Sequence, residues 1–233
     1  MSLFSLLVIV HVAVGATGLI AFWVPVASRK GGVAHRQWGR LAARAFMAAG
    51  ALAIAMALLS LYGPEKRLPM ITDRVLFAGL FGWMMLYLGV LTISFADYGL
   101  AVARARNQRA GLRRARHQLV FAAVIAAALN CGAHGVMLGQ PLMILVAFIG
   151  LVAVATQLAY VWRRNVAPRA YVQEHFRSLL GMGISAYTAF VSVGLIRLLP
   201  EHVFNPIIWA LPSMVGVSLI AAFTLRARSA IRA

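Results

Sequence analysis

Seven apolar stretches, each about as long as a bilayer is thick, constrain this chain more than any other feature of its sequence. A helix needs about 20 mostly apolar residues to cross the hydrocarbon core. Such windows occur at roughly 3–27, 41–62, 75–99, 117–138, 142–162, 178–199 and 206–225. With 62% hydrophobic and 12% charged residues, one soluble domain could not bury its apolar side chains. The sequence predicts an all-α, polytopic transmembrane helical bundle of seven spans, a single domain over residues 1–233.

The basic residues predict the orientation of the bundle. Seven spans place alternate loops on opposite sides, and 18 of the 22 lysine and arginine residues fall on the side of the C-terminus. Basic loops remain in the cytoplasm, so we expect the N-terminus outside and the C-terminus inside, in the inner (cytoplasmic) membrane of the cell. The start of the chain lacks the basic region that precedes a signal-peptide core, which favours a retained first span.

Charge, cysteine content and motifs exclude several function classes. The net charge of +17 arises from short loops between apolar runs, where topology and anionic lipid headgroups account for it, so no nucleic-acid partner is expected. The single cysteine, Cys131, excludes an intramolecular disulfide and any multi-cysteine metal site within this chain. HExxH, Walker-type, serine-elbow and Rossmann motifs do not occur in the sequence, which argues against the commonest enzyme classes.

Two histidines in the spans are candidate cofactor ligands. His11 and His134 both fall in the outer half of the predicted bilayer, a depth at which ionisable residues are functional candidates. Gly15 and Gly18 share a helix face with His11 and would admit a flat ring, while Asn130 would orient the His134 ring. We predict one b-type haem with His11 and His134 as axial ligands, their coordinating nitrogens about 4 Å apart. The alternative is a histidine that hydrogen-bonds across a close helix contact.

A second group of polar residues is expected at the inner face, where loops meet helices: His35, His117, His175, Lys30, Arg36 and Arg40. Three imidazoles and a water molecule would make a zinc site, but the neighbouring positive charges oppose a divalent cation. They favour an anion or a quinone oxygen instead. The loop SRKGGVAHRQWGR is expected to bind such an anion or a lipid headgroup, and a solvated, headgroup-binding face is the alternative for the whole group.

Four segments resemble a family of bacterial multi-pass membrane proteins that is defined only as a domain of unknown function. The first runs from the segment HVAVG to KGGVAHRQWGR, with matching positions His11, Gly15, Pro25, Lys30, Gly31, Gly32, His35, Arg36, Gly39 and Arg40. The others are LYLGVLT, EHFRSLLGMGISAYTAF with His175, Thr188, Ala189 and Phe190, and WALPSMVG with Trp209, Leu211, Pro212 and Gly216. Leu179 and Met182 depart from the family's pattern. The resemblance implies a membrane bundle but no activity.

The sequence leaves three hypotheses for the function. The first is a redox protein for electron transfer, with haem b near the outer face and a quinone or anion at the inner histidines. The second is a non-catalytic, structural or lipid-binding subunit of a membrane complex. The third is a histidine-metal membrane hydrolase or transporter. Helix order decides among them, because it determines which histidines meet.

Overall fold

The computed structural model of this chain describes residues 3–63, 74–191 and 206–232, with side chains in the last range only for 211–226. These residues form seven helices and no strand, so the all-α prediction is confirmed for them. The helices are α1 (Leu3–Ala27), α2 (Val33–Tyr62), α3 (Arg74–Ala105), α4 (Ala115–Met137), α5 (Pro141–Trp162), α6 (Ala170–Ala189) and α7 (Pro206–Arg232). Residues Ala78–Met84 of α3 are π-helical, and Arg109–Arg113 form a short 3-10 turn before α4.

Five of the helices, α1 to α5, are long and apolar enough to cross a membrane. Their surfaces carry exposed large apolar side chains, such as Ile20 and Phe148, as expected of residues that face lipid. The chain is therefore a membrane-embedded, multi-pass protein. Part of the predicted sixth span, residues 192–199, lies outside the described residues, as do His202, Arg197, Glu201 and the loop cations Lys66 and Arg67.

The prediction that SRKGGVAHRQWGR forms a loop is wrong for most of this segment, because α2 begins at Val33. His35, Arg36 and Arg40 therefore lie on the first two turns of a helix. Only residues 28–32 form the turn, where Gly31 has a φ of +74° that a side chain would strain. Alanine, arginine and glutamine after the glycines are good helix formers, so the helix continues into the polar segment ahead of the apolar window.

The sixth helix also begins earlier than predicted. α6 starts at Ala170 rather than near residue 178, so Glu174, His175 and Arg177 lie within a helix. These first turns are amphipathic and pack on α3 and α7. A hydropathy window excludes such a segment because its polar residues lower the average, although Glu174 is buried and His175 and Arg177 are partly buried against other helices.

α3 is the central helix of the bundle. It packs against α2, α4 and α6, whereas α1 packs against α2 and α6, and α5 against α4. In the most apolar stretch of α3, 56% of the residues are buried, against 6% in that of α1. Glycine allows the closest approach: a Cβ atom on Gly50 of α2 would lie 3.0 Å from the carbonyl oxygen of Gly89 on α3.

The connections α1–α2, α3–α4 and α5–α6 and the end of α7 lie together, and we call this region the basic end. Arg109 in the α3–α4 connection donates to the carbonyl oxygens of Tyr160, Arg163 and Arg164, at 2.6, 2.7 and 3.2 Å. Arg113 donates to the Val161 carbonyl at 3.1 Å. Two of the predicted loop cations thus cap the C-terminus of α5, where unpaired carbonyls and the helix dipole favour positive charge.

Candidate functional site

Two histidines that are 140 residues apart in the sequence meet at the basic end. The rings of His35 on α2 and His175 on α6 have centroids 6.2 Å apart and lie edge to face. Both side chains are half-buried. The Nδ1 atom of His35 bonds to the carbonyl oxygen of Pro25 on α1 at 3.0 Å, and that of His175 to the carbonyl of Gly99 on α3 at 2.9 Å. Four helices therefore hold the pair.

These bonds determine which ring nitrogens are available. A carbonyl oxygen only accepts, so Nδ1 carries the proton in both rings. In the neutral form each Nε2 atom is then an acceptor with a free lone pair, and no described residue bonds to it. This is the arrangement that histidines adopt when Nε2 binds a metal or accepts a proton from a ligand.

Lys30 brings a positive charge to the same place. Its ammonium group donates to the carbonyl oxygens of Pro25 at 3.0 Å and Val26 at 2.5 Å, which caps the C-terminus of α1. Pro25 thus accepts from both Lys30 and His35. The ammonium also lies 4.9 Å from the centre of the Phe223 ring on α7. Burial and the nearby Arg226 guanidinium lower the pKa of Lys30 from its usual value.

The other two predicted cations of this face have different roles. Arg36 donates to the carbonyl oxygen of Gly31 at 2.8 Å and so stabilises the turn before α2. Arg40 is exposed on the next turn of the helix. Neither arginine is bonded to the histidine pair, so His35, His175 and Lys30 are the core of the site.

His117, the third predicted histidine of this face, is bonded elsewhere. Its Nδ1 atom lies 3.0 Å from Asp97 Oδ2, and Arg116 contacts the other oxygen of the same carboxylate. Asp97 on α3 thus pairs with two residues at the start of α4. Among the described residues, no group of three or more histidine, cysteine, aspartate or glutamate side chains is arranged to hold a metal ion. The described residues therefore do not form the three-histidine zinc site that the sequence left open.

A buried polar network that the sequence does not predict lies next to the site. The Glu174 carboxylate accepts from Arg177 at 2.9 Å and from the Tyr98 hydroxyl at 3.2 Å. Arg177 also donates to Thr156 on α5 at 3.1 Å, so the network joins α3, α5 and α6. The available signal was the spacing of Glu174 and Arg177, three residues apart on a helix.

His11 lies in the apolar part of the bundle and bonds to α2. Its Nδ1 atom bonds to the carbonyl oxygen of Ala49 at 3.0 Å. Of the two predicted notch glycines, Gly18 is filled by the Phe46 ring, 2.8 Å from where a Cβ atom would stand, while Gly15 has open space beside it. The bond to Ala49 matches the alternative of a hydrogen bond across a close helix contact.

His134 has a different set of neighbours. Its Nδ1 atom bonds to the carbonyl oxygen of Asn130 at 2.9 Å, so the backbone of Asn130 orients the ring. The ring stacks on Trp83, within the π-helical part of α3, with centroids 4.9 Å apart. Because α1 packs on α2 and α6, and α4 on α3 and α5, His11 and His134 are held by different helices. Their pairing through one haem stays a prediction.

Comparisons with protein-family models, curated proteins and solved structures find no match to this chain. The resemblance of its four segments to a membrane-protein family therefore stays a prediction. Of the residues that carry that resemblance, His35, Lys30, Pro25 and His175 meet at the basic end. This site is the strongest candidate for function.

Proposed function

We propose that this membrane protein binds a quinone at the basic end, with its ring against His35 and His175. The observation that carries the proposal is the histidine pair: two half-buried imidazoles 6.2 Å apart, each with Nδ1 bonded to a carbonyl oxygen and Nε2 left for a ligand. A quinone dissolves in the bilayer and has polar oxygens at its ring, which suits a site where apolar helices meet polar connections.

Both oxidation states of a quinone fit the hydrogen-bonding groups of this site. The reduced ring carries hydroxyl groups that can donate to Nε2 of a neutral imidazole. The oxidised ring carries carbonyl oxygens that accept from a protonated imidazole or from Lys30, whose ammonium uses two of its donors on Pro25 and Val26. A neutral imidazole accepts at Nε2 and a protonated one donates there, so the same pair of rings has a hydrogen-bonding partner for either form of the quinone.

Titration of the purified protein with a quinone tests the proposal. Asparagine places an N–H group near the position of histidine Nδ1 but has no Nε2, so His35→Asn preserves the bond to Pro25 while removing the ligand nitrogen. We expect at least a tenfold loss of affinity in His35→Asn, since a hydrogen bond to a ligand contributes about 1.4 kcal/mol or more when charge is involved. His134→Asn is the matched control and should bind as the wild type does. No saturable binding to the wild type would contradict the proposal.

A haem ligated by His11 and His134 is the second candidate. It is favoured by one observation: both rings bond through Nδ1 to carbonyl oxygens, as metal-ligating histidines do. A visible spectrum of gently purified protein from its native source tests it. A Soret band that disappears in His11→Phe and in His134→Phe would support the haem, and absence of the band would exclude it.

A structural or lipid-binding subunit of a membrane complex is the competing function. It is favoured by the number of cations that cap helices, such as Arg109 and Arg113. This function predicts that the protein co-purifies with partner proteins or anionic lipids. It also predicts that the wild type and all histidine variants show the same background level of quinone binding.

The proposal includes seven spans with the basic end in the cytoplasm. Since Cys131 is the only cysteine, Cys131→Ser provides a background for single cysteines at Gln108 in the α3–α4 connection and at Gln140 between α4 and α5. A membrane-impermeant maleimide should label the second in intact cells and the first only after lysis. The reverse pattern would contradict the orientation.

A further inference from the structure

An apolar cavity of about 170 Å³ lies between α1, α6 and α7. Trp23, Tyr187, Val215 and Leu219 are among the residues that line it. Val215 and a further lining residue, Leu211, are 47% and 54% exposed, so the cavity opens on the lateral surface of the bundle. A molecule within the bilayer can therefore reach it directly.

The polar atoms in the wall of this cavity bond to each other. The Trp23 indole donates to the Tyr187 hydroxyl at 2.5 Å, and that hydroxyl donates to the Leu19 carbonyl oxygen at 2.8 Å. The cavity therefore suits hydrocarbon rather than water. An apolar cavity of about 150 Å³ in another protein holds benzene, so this one has room for a chain segment of similar volume.

The cavity and Lys30 of the histidine site lie along the same helix, α7. Leu219 lines the cavity, and Phe223 is one turn further along the same face of the helix. Phe223 packs edge to face on Phe176 at 6.0 Å, and its ring lies under the Lys30 ammonium. One face of α7 thus leads from the apolar cavity to the ammonium group of Lys30, one of the three residues of the histidine site.

We propose that this cavity binds the hydrocarbon chain of the quinone whose ring contacts His35 and His175. The inference rests on the proposed function and adds to it the class of ligand: a quinone with a long apolar chain. A ligand that is apolar along its length and polar at one end matches both the lining of the cavity and the groups at its basic end. A phospholipid acyl chain is the other possible occupant.

Two quinones with one ring test this inference: a dimethoxy-methyl-benzoquinone without a chain, and the same ring with a decyl chain. Val215→Trp fills the cavity, whereas Val217→Trp is the matched control, on the same helix and 58% exposed but outside the cavity lining. All proteins are titrated in the same detergent, so that each quinone partitions into micelles to the same extent with every protein and the variants can be compared directly.

We expect the wild type and Val217→Trp to bind the decyl quinone about tenfold more tightly than the chainless one, because the chain buries apolar area. Val215→Trp should lose this difference and keep its affinity for the chainless quinone. Chain-independent affinity in the wild type, or a chain effect that Val215→Trp retains, would overturn the inference but not the proposed function, and would leave the cavity to phospholipid chains. No binding of either quinone would overturn both.

Discussion

The histidines at the two halves of the bundle have different neighbours, although the sequence presents them alike. At the basic end, His35 and His175 come from distant parts of the chain and form a pair. In the apolar half, His11 and His134 each bond to a carbonyl oxygen, and each lies beside different helices. In all four histidines, Nδ1 bonds to a backbone carbonyl oxygen. The basic end differs in that its two histidine rings are neighbours, so two Nε2 atoms are available to one ligand.

The two halves also differ in what holds the helices together. The basic end uses hydrogen bonds and ion pairs, such as Glu174 with Arg177 and Tyr98. The opposite end uses close contacts of small residues, such as Gly135 of α4 against Met143 and Ile144 of α5. A polar network fixes particular side chains in place, whereas glycine contacts fix only the separation of the helices. A ligand site that needs defined donors and acceptors is therefore expected at the basic end.

Loss of the ion pair between Glu174 and Arg177 should have the largest effect on stability. Arg177→Leu leaves the buried Glu174 carboxylate without its cation, which should cost about 3 kcal/mol of the free energy of unfolding, the lower end of the range for buried pairs, because the Arg177 side chain is 33% exposed. Denaturation by SDS in mixed micelles measures it. Arg164→Leu is the control: it removes an exposed arginine and should change stability by less than about 0.5 kcal/mol. Equal effects of the two variants would show that the network does not stabilise the basic end.

A methyl group added at the α4–α5 contact should have an intermediate effect. A Cβ atom on Gly135 would lie 2.9 Å from Met143 Cβ and 3.0 Å from the Ile144 backbone nitrogen, so Gly135→Ala should cost about 1–3 kcal/mol. Gly132→Ala, one turn earlier, would place its Cβ atom 3.5 Å from Ala147. That variant should be neutral or slightly stabilising, and the same denaturation assay compares them. A destabilised Gly132→Ala with an unaffected Gly135→Ala would contradict this account of the contact.

Removal of the His11 bond should have the smallest effect. His11→Phe loses the bond to Ala49 and should cost about 1 kcal/mol, whereas His11→Asn should retain most of it. Unfolding of protein free of any cofactor measures this difference. If wild-type protein purified from its native source has a Soret band that both variants lack, His11 is a haem ligand and the contrast between the two halves fails.

The sequence predicts the helices of this bundle better than its site. Apolar windows near residues 3–27 and 142–162 correspond closely to α1 and α5, because an uninterrupted apolar run of that length has few other structures in a membrane. Hydropathy predicts the starts of α2 and α6 too late in the chain, because their first turns are polar and are stabilised by contacts with other helices. Local composition does not carry that information.

The meeting of His35 with His175 could not be predicted, because it depends on which helices are neighbours. The sequence grouped His117 with them by depth alone. α3 then separates the group: Gly99 accepts from His175, while Asp97, two residues earlier and on another side of the helix, pairs with His117. Depth follows from hydropathy, but the side of a helix that a partner occupies is a property of the whole bundle.

A double-mutant cycle for quinone binding tests most directly whether His35 and His175 form one site. Affinities are measured for the wild type, His35→Asn, His175→Asn and the double variant, each with its Nδ1-like donor retained. Two rings that contact one ligand should give non-additive losses, with the double variant only slightly weaker than either single variant and a coupling free energy of about 0.5–3 kcal/mol. Additive losses, or affinities equal to the wild type, would contradict a shared site at the basic end.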